Sequence, residues 1–399
     1  MQDKPARNFF YASLSLISFL RKSYLLSIYR LRVLRNSAWN FLFLDDCVTS
    51  GTNKKVLPMQ YRRLGRSNLR VSALCLGTMM FGRQTMMDEA DQIVASAEAR
   101  GINFIDTADV YNNGQSEKFI GQLLRSNDRR NRWIIASKLG NSMGEQPNQS
   151  RYSRRWLVQE TEAILKRLQT GHLDILYLHR DFEGENLEET VRALGDLIQS
   201  GKIVGFGLSN FRGWRIAEVV RLCGLANVAP PVVCQPYYNL LNRQPEVEIL
   251  PACQHYGLGV VPYSPLARGV LTGKYPPGQP PLEGTRAGSG DKRMLETEFR
   301  EESLVIAQEI KTYCLDKQCA PGHFAAAWVL ANPCVSAVIA GPRTLEQIES
   351  FYGALDVTIT PQDEAFVNAL VTPGHASSYG YNDPAYPFHG RDVAISAPL

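Results

Sequence analysis

Six short apolar runs of the sequence each end in a polar or ionisable residue. In chain order these residues are Asp106, Lys138, His179, Ser209–Asn210, Gln235 and Tyr263–Ser264. Tyr111 follows the first of them after five positions. A lysine at the end of an apolar run needs a carboxylate partner, because an unpaired charge is costly to bury, and Asp106 on a neighbouring strand can supply it.

A phenol beside a lysine–aspartate pair has a chemical use. A cation near a phenol favours the ionised form, so we expect Lys138 to lower the pKa of Tyr111 from about 10. Such a phenol can donate a proton to a carbonyl oxygen as a hydride arrives at the carbon, which accelerates a reaction roughly 10²–10⁴-fold. A neutral His179 can orient the carbonyl or share the proton. The residue types therefore predict acid catalysis of a carbonyl reduction.

The elements that must position these residues are eight strand–helix units. From residue 73 onward short apolar runs alternate with longer amphipathic stretches, which indicates a parallel sheet with helices outside it. The predicted strands are 73–76, 103–105, 133–137, 173–178, 203–208, 232–235, 259–262 and 336–339. The predicted helices are 88–100, 116–125, 154–168, 187–200, 213–223, 244–256, 303–314 and 344–355.

A closed (β/α)8 TIM barrel has eight such units in about the same length, roughly 280 residues. In TIM-barrel enzymes the active site lies at the carboxyl ends of the strands. A doubly wound open sheet is the alternative. It would need a G-x-G-x-x-G turn after the first strand, and residues 75–82 (CLGTMMFG) lack that turn. The sequence therefore predicts an α/β protein of the TIM-barrel class.

Three segments do not fit a minimal barrel unit. Residues 61–71 contain Gly-Arg-Ser-Asn at their middle and predict a hairpin before the first barrel strand. Residues 264–300 are rich in Gly and Pro and predict a long loop after strand seven, of a length that usually serves a function. The C-terminal tail, residues 373–399, is either ordered over one face or disordered.

The basic charge of the chain is concentrated in residues 1–58, which contain nine Lys/Arg and three Asp/Glu. Residues 59–399 contain 34 Lys/Arg and 36 Asp/Glu, a net charge of −2. Nucleic-acid binding, which needs a basic surface, therefore has little support. The composition of the first segment resembles a transit peptide or a membrane-surface helix. We favour an N-terminal extension outside the functional domain, with the barrel domain at 59–399 and a cytoplasmic location rather than organellar targeting.

Several other classes of protein are disfavoured. No run of 18 uncharged apolar residues exists, so no membrane span is expected. The eight cysteines form no C-x-x-C pair, which is typical of reduced thiols, and the histidines have no metal-binding spacing, so no metal is expected. A barrel hydrolase that uses Asp106 and Glu117 would lack a nucleophile–base pair.

The motifs around these residues resemble those of the aldo-keto reductases. The string from Asp106 through Tyr111 to Glu117 is similar to the family's signature, and further blocks match around 138, 179, 201–210, 235–239, 263–275 and 339–343. The resemblance covers about residues 59–375 and is greatest to the branch of bacterial reductases and potassium-channel β subunits. It implies an NADP-dependent reductase of aldehydes or ketones. The alternative is a nucleotide-binding regulatory subunit that senses redox state, and the oligomeric state stays open.

The resemblance also implies the role of each catalytic residue. Tyr111 would be the proton donor, Lys138 and Asp106 the pair that tunes it, and His179 the group that orients the carbonyl. Tyr263 would stack on the nicotinamide ring. The carboxamide of that ring would be held by Ser209, Asn210 and Gln235.

The remaining NADP(H) contacts lie in two segments. The pyrophosphate would be lined by Ser264, Leu266, Gly269 and Lys274, with Arg286 folding over it from the long loop. After strand eight, Gly341 precedes Arg343, which can bind the adenosine 2′-phosphate at a helix start. Gln347 has capping-box spacing to Thr344, which could by itself explain both residues. Where this branch often has Asn against the adenine, this chain has Phe351, so the adenine contact departs from the family pattern.

Overall fold

Strands that alternate with helices build the protein. The computed structural model describes residues 58–388, so nearly all of the predicted N-terminal extension lies outside the described residues and remains a prediction. The strands are β1 (Tyr61–Arg63), β2 (Arg70–Ser72), β3 (Leu74–Gly77), β4 (Phe104–Asp106), β5 (Ile134–Leu139), β6 (Leu173–Leu178), β7 (Ile203–Ser209), β8 (Val233–Gln235), β9 (Gly259–Val260) and β10 (Val338–Ala340).

The helices lie between and after these strands. They are α1 (Met87–Ala99), α2 (Gln115–Leu123), α3 (Asn127–Arg130), α4 (Arg154–Leu168), α5 (Leu187–Gln199), α6 (Gly213–Ala226), α7 (Ile249–Tyr256), α8 (Lys292–Thr297), α9 (Glu301–Asp316), α10 (Pro321–Ala331), α11 (Leu345–Phe351) and α12 (Pro361–Leu370). Within residues 58–388 no helix is long and apolar enough to cross a membrane.

The eight predicted barrel strands pair in parallel in the order β10-β3-β4-β5-β6-β7-β8-β9. The two end strands also meet: Val260 forms a parallel bridge with Val335. Ser336 N donates to Val260 O at 2.8 Å, and Ile339 N donates to Pro262 O at 3.2 Å. These contacts join the sheet into a barrel, and the predicted TIM-barrel class is confirmed.

A hairpin, β1 paired with β2 in antiparallel register, closes the amino end of the barrel as predicted. Gly65 at its turn has a φ of +57°, and a Cβ there would lie 2.4 Å from Gly257 O, so only glycine fits. Leu64 and Val71 are fully buried in the barrel interior. They pack there with Cys75, Phe104, Ala136, Ile175, Tyr177, Val233, Val261 and Ala337.

The helices differ more from prediction than the strands do. The predicted loop 264–300 contains a 3-10 helix, Ala267–Thr272, and α8. The predicted helices 244–256 and 344–355 are each divided between a 3-10 turn and a shorter α-helix. Helices α3, α8, α10 and α12 were not predicted. In α10 the run Phe324–Leu330 is buried throughout, so it lacks the polar face on which a periodicity argument depends.

We predict that Leu64→Ala destabilises the protein by about 2–5 kcal/mol, because it leaves a cavity where the hairpin seals the barrel. Chemical denaturation of wild type and variant measures this loss. Leu69→Ala is the matched control in the same hairpin, since Leu69 is only half-buried. Equal losses for the two variants would show that the hairpin does not anchor the barrel through Leu64.

Candidate active site

A cavity of about 730 Å³ lies at the carboxyl ends of the barrel strands. All the predicted site residues except Lys138 line it. These are Asp106, Tyr111, His179, Ser209, Asn210, Gln235, Tyr263, Ser264, Leu266, Gly269, Lys274, Arg286, Gly341, Arg343 and Gln347. The rim of the barrel therefore brings together residues that are up to 241 positions apart in the sequence.

Lys138 is fully buried beneath the cavity floor and joins the residues around it. Its Nζ donates to Asp106 Oδ1 at 2.5 Å, to the Thr107 carbonyl at 2.8 Å and to the Tyr111 hydroxyl at 3.2 Å. An ammonium group has three donors, so these three acceptors satisfy it completely. The pairing of Lys138 with Asp106 that the sequence suggested is present.

The charges at this centre shift the pKa values of both Tyr111 and Lys138. Burial raises the pKa of Tyr111 above its usual 10, and the Lys138 charge offsets only part of that effect. The expectation that Lys138 brings the pKa of Tyr111 below 10 is therefore wrong, because desolvation of a phenolate outweighs one neighbouring cation. Burial by itself lowers the pKa of Lys138, but Asp106 and Tyr111 outweigh it and raise the pKa above its ordinary value. At neutral pH Tyr111 is protonated and Lys138 charged.

His179 stands beside Tyr111, with ring centroids 6.0 Å apart and planes 80° apart. Burial, and then the charges of Lys138 and Arg180, hold the pKa of His179 well below its ordinary value, so the ring is neutral. Its Nδ1 lies 3.0 Å from Asn141 Nδ2. The amide nitrogen of Asn141 can only donate, so His179 Nδ1 accepts and the ring proton sits on Nε2. Asn141 follows β5 by two residues and the sequence reasoning missed it.

The amide-bearing residues form a chain of hydrogen bonds across the floor. Gln235 Nε2 donates to Asp106 Oδ2 at 2.8 Å. Ser209 Oγ donates to the backbone carbonyl of Gln235 at 3.0 Å, and Asn210 Nδ2 donates to Ser209 Oγ at 3.0 Å. The Tyr263 hydroxyl donates to Asn210 Oδ1 at 2.8 Å. This network fixes the orientation of every amide, so each one presents defined donors and acceptors.

The loop that carries Tyr111 is held in place by hydrogen bonds from the following residue, Asn112. Asn112 Nδ2 donates to the carbonyls of Met79 and Phe81, at 3.1 and 2.7 Å. Asn112 and the two residues after it all have φ between +52° and +78°, a conformation that asparagine and glycine tolerate best. The loop that carries the proton-donor candidate is therefore bonded directly to the loop after β3.

Glu117 lies under this loop and not in the cavity. It is fully buried, accepts from Ser137 Oγ at 2.5 Å, and pairs with Arg167 Nε at 2.5 Å. Burial raises its pKa to about 7, despite the Arg167 charge. These contacts agree with a structural role at the start of α2.

One end of the cavity is rich in cations. Gly269 has a φ of +99°, and a Cβ there would lie 3.3 Å from Lys274 Nζ, so glycine leaves room beside that ammonium. Arg286 Nε pairs with Asp291 at 2.9 Å. Lys274 is exposed and has no carboxylate partner within residues 58–388.

The segment after β10 also lines the cavity. Thr344 Oγ1 accepts from Gln347 N at 3.3 Å, so the predicted cap is present. In a capping box the Gln347 side chain would accept a hydrogen bond from the backbone N–H of Thr344. Here it accepts from the backbone N–H of the preceding residue, Arg343, at 2.8 Å. Phe351 and His323 also line this end, and His323 comes from the unpredicted α10.

The C-terminal tail, as far as residue 388, is ordered across the rim. Arg293 pairs with both oxygens of Asp383 at 2.5 Å. Arg180 donates to Ala385 O at 3.0 Å. Tyr386 thereby lines the cavity near Tyr111. The sequence offered no signal for these contacts, and among the predicted alternatives for the tail the ordered one holds for the residues described.

The closed barrel and its polar strand ends place the protein among TIM-barrel proteins with a polar cavity at the carboxyl ends of the strands. The chain belongs to the aldo/keto reductase family, whose sequence model matches residues 73–371. It is 36% identical over 328 residues to a probable voltage-gated potassium channel subunit beta of Oryza sativa subsp. japonica, covering 80% of this chain and 100% of that protein. It is 34% identical over 340 residues to the uncharacterized oxidoreductase YrpG of Bacillus subtilis, covering 81% and 99%.

We predict that Lys138→Met destabilises the fold by about 3–5 kcal/mol, because Asp106 then keeps a buried charge without its partner. Adding Asp106→Asn should recover most of this loss, since the amide needs no counter-charge. Equilibrium denaturation of both variants measures the effect. Lys274→Met, which removes an exposed lysine, should change stability by less than about 0.5 kcal/mol. A single variant as stable as wild type would mean that the pair is energetically unimportant.

Proposed function

We propose that the protein transfers a hydride from NADPH to the carbonyl carbon of an aldehyde or ketone, reversibly, with Tyr111 as the proton donor. One observation carries the proposal. Lys138 Nζ contacts the Tyr111 hydroxyl at 3.2 Å while it is bound to Asp106 at 2.5 Å, at the floor of a cavity of about 730 Å³. Membership of the aldo/keto reductase family supports the same reaction.

Four residues have separate roles in the transfer of a proton to the carbonyl oxygen. Tyr111 remains protonated at neutral pH because its pKa is raised by burial, so its hydroxyl can donate to a carbonyl oxygen. The resulting phenolate lies 3.2 Å from the Lys138 ammonium, which stabilises the negative charge as it develops. His179 carries its ring proton on Nε2 and can donate a second hydrogen bond to the same oxygen. Asp106 holds Lys138 in place and keeps it charged.

The amide network suits a nicotinamide. A reduced nicotinamide supplies the hydride when it is bound. A primary carboxamide offers both donors and acceptors, and Ser209, Asn210 and Gln235 present both kinds of group at the floor. Tyr263 is held by its hydroxyl to Asn210 and lies 5.5 Å from the Tyr237 ring in a stacked arrangement, so its ring plane is fixed as a flat support.

The cationic end suits the phosphates of NADP(H). Lys274 and Arg286 flank the space that Gly269 leaves open, which fits a pyrophosphate. Ser264, Leu266 and Gly341 line the same cavity and complete its walls. Arg343 makes no side-chain hydrogen bond with the described residues and can bind a 2′-phosphate. Phe351 offers the adenine a ring face instead of an amide.

The names of several relatives favour a second candidate function. Besides the rice protein, one of Arabidopsis thaliana at 36% identity and one of Schizosaccharomyces pombe at 34% are described as channel β subunits, probable and putative respectively. In this alternative the same cavity would hold nucleotide and report its redox state to a partner. Turnover limited by cofactor exchange would favour this alternative, whereas steady turnover of small aldehydes would favour the reductase.

We predict that Tyr111→Phe lowers kcat for carbonyl reduction by at least about 10²-fold and leaves the Kd for NADPH nearly unchanged, because only the proton donor is removed. NADPH oxidation with a panel of aldehydes, together with cofactor titration by fluorescence, measures both. Tyr256→Phe, at the opposite end of the barrel, controls for loss of a hydroxyl. Near-normal turnover of the Tyr111 variant would remove this residue from its role.

We also predict that Arg343→Ala weakens NADPH binding about 10- to 100-fold and NADH binding hardly at all, because a charge-assisted phosphate contact is lost. Calorimetric titration with each cofactor gives the two dissociation constants. Lys274→Ala is the comparison, and it should weaken both cofactors alike because both contain the pyrophosphate. If Arg343→Ala also weakened both equally, Arg343 would not recognise the 2′-phosphate.

A further inference from the structure

Two cysteines, Cys314 and Cys319, meet at the turn that joins α9 to α10. Helix α9 ends in two backbone hydrogen bonds of 3.2 Å, from Cys319 N to Cys314 O and from Gln318 N to Leu315 O. Gln318 has a φ of +55°, and the helix cap before it is Lys317. These two bonds around one left-handed residue form a Schellman motif. In this motif the third residue before the cap and the second residue after it are commonly in contact, and here both are cysteines.

The contact between the two cysteines suits a disulfide bond. Bridged cysteines usually have Cα atoms about 4.4–6.8 Å apart, and one backbone hydrogen bond of 3.2 Å already joins Cys314 to Cys319. Both side chains pack in the same hydrophobic core. Burial raises the pKa of the Cys314 thiol to about 12, and the neighbouring Cys319 thiol adds to this rise. The turn therefore holds the two thiols where a disulfide can form.

The two thiols differ in their access to solvent. Cys314 is buried, whereas Cys319 is partly exposed. Among the other cysteines of residues 58–388, only Cys334 is also partly exposed. Cys234 and Cys253 lie close to each other as well, but both are fully buried in the barrel core. A soluble oxidant therefore meets Cys319 first, and Cys314 is the thiol placed to react with the product.

We propose that Cys314 and Cys319 form a reversible disulfide when the protein meets a peroxide. The Cys319 thiolate attacks one oxygen of hydrogen peroxide, the O–O bond breaks, and the sulfur becomes a sulfenic acid with release of one water. The Cys314 sulfur then attacks the Cys319 sulfur, so that the S–S bond forms, the S–O bond breaks and a second water leaves. Two thiols are oxidised, and one peroxide is reduced to two waters. A dithiol reverses the reaction by thiol–disulfide exchange.

This thiol pair adjoins the wall of the large cavity. Residues 320–323 follow Cys319 directly and line the cavity. A disulfide would fix the turn from which this part of the wall begins. It would also remove the sulfenic acid of Cys319 before further oxidation to the sulfinic or sulfonic acid, which simple thiols do not reverse. The inference goes beyond the hydride transfer proposed above and does not depend on it.

Peptide mapping of the full chain tests the proposal. Trypsin cleaves after Lys317, between the two cysteines, so the reduced protein releases residues 312–317 and 318–343 as separate peptides. The folded protein is treated with hydrogen peroxide, and the remaining thiols are alkylated under denaturing conditions before digestion. We expect a disulfide-linked species of these two peptides, and dithiothreitol should separate it. Because residues 318–343 also contain Cys334, the Cys334→Ser variant is mapped alongside and should give the same link.

Two further variants assign the order of the steps. Cys314→Ala removes the thiol that resolves the sulfenic acid, so Cys319 should accumulate as the sulfinic or sulfonic acid under the same peroxide treatment. Cys319→Ser leaves only the buried thiol, so Cys314 should remain fully alkylatable after the same treatment. Oxidation of Cys314 in the Cys319→Ser variant would contradict the assignment of Cys319 as the thiol that peroxide attacks.

The mapping of the wild-type protein decides the proposal. It would be overturned if the peptides 312–317 and 318–343 stayed unlinked after peroxide treatment, whether Cys319 remained a thiol or was oxidised to the sulfinic acid. It would also be overturned if the link persisted in Cys319→Ser, or if Cys319 were joined to a cysteine other than Cys314.

Discussion

An ammonium group can be buried beneath a cavity only where each of its donors meets an acceptor and its charge meets an opposite charge. For Lys138 those partners are Asp106, the Thr107 carbonyl and Tyr111, all from β4 and the loop after it. Because β4 and β5 are neighbours in the sheet, with Asp106 opposite Ala136, the two strand ends meet at one level. The parallel pairing of β4 and β5 therefore brings the Lys138 ammonium to its acceptors. The ammonium in turn holds the Tyr111 hydroxyl in position.

Charge is distributed unevenly along the cavity. Three cations of the floor and wall have carboxylate partners, in the pairs Lys138–Asp106, Arg268–Glu298 and Arg293–Asp383. At the other end, Lys274 and Arg343 have no carboxylate partner in the part of the chain that the structure describes. This distribution supports the proposal that phosphates bind beside Lys274 and Arg343 while an uncharged ring lies at the floor.

The features that could be predicted from the sequence are those that leave a pattern among neighbouring residues. Strands such as β6 were predictable because apolar runs ending in polar residues mark the rim of a parallel barrel. Helix α10 was not, because a helix buried on every side has no polar face. Arg268 and Tyr386 were missed because their contacts, with Glu298 and Arg293, join segments that no local pattern links. The pKa of Tyr111 was misjudged because sequence shows the neighbouring cation but not the depth of burial.

The tail from Asp383 to Phe388 has a practical consequence for handling the protein. Arg293 and Arg180 fasten it across the rim, and Tyr386 faces the cavity. A bulky group attached to this segment would therefore lie at the mouth of the cavity. The β1–β2 hairpin, which closes the barrel at its other end, is therefore the better place to attach a label for binding measurements.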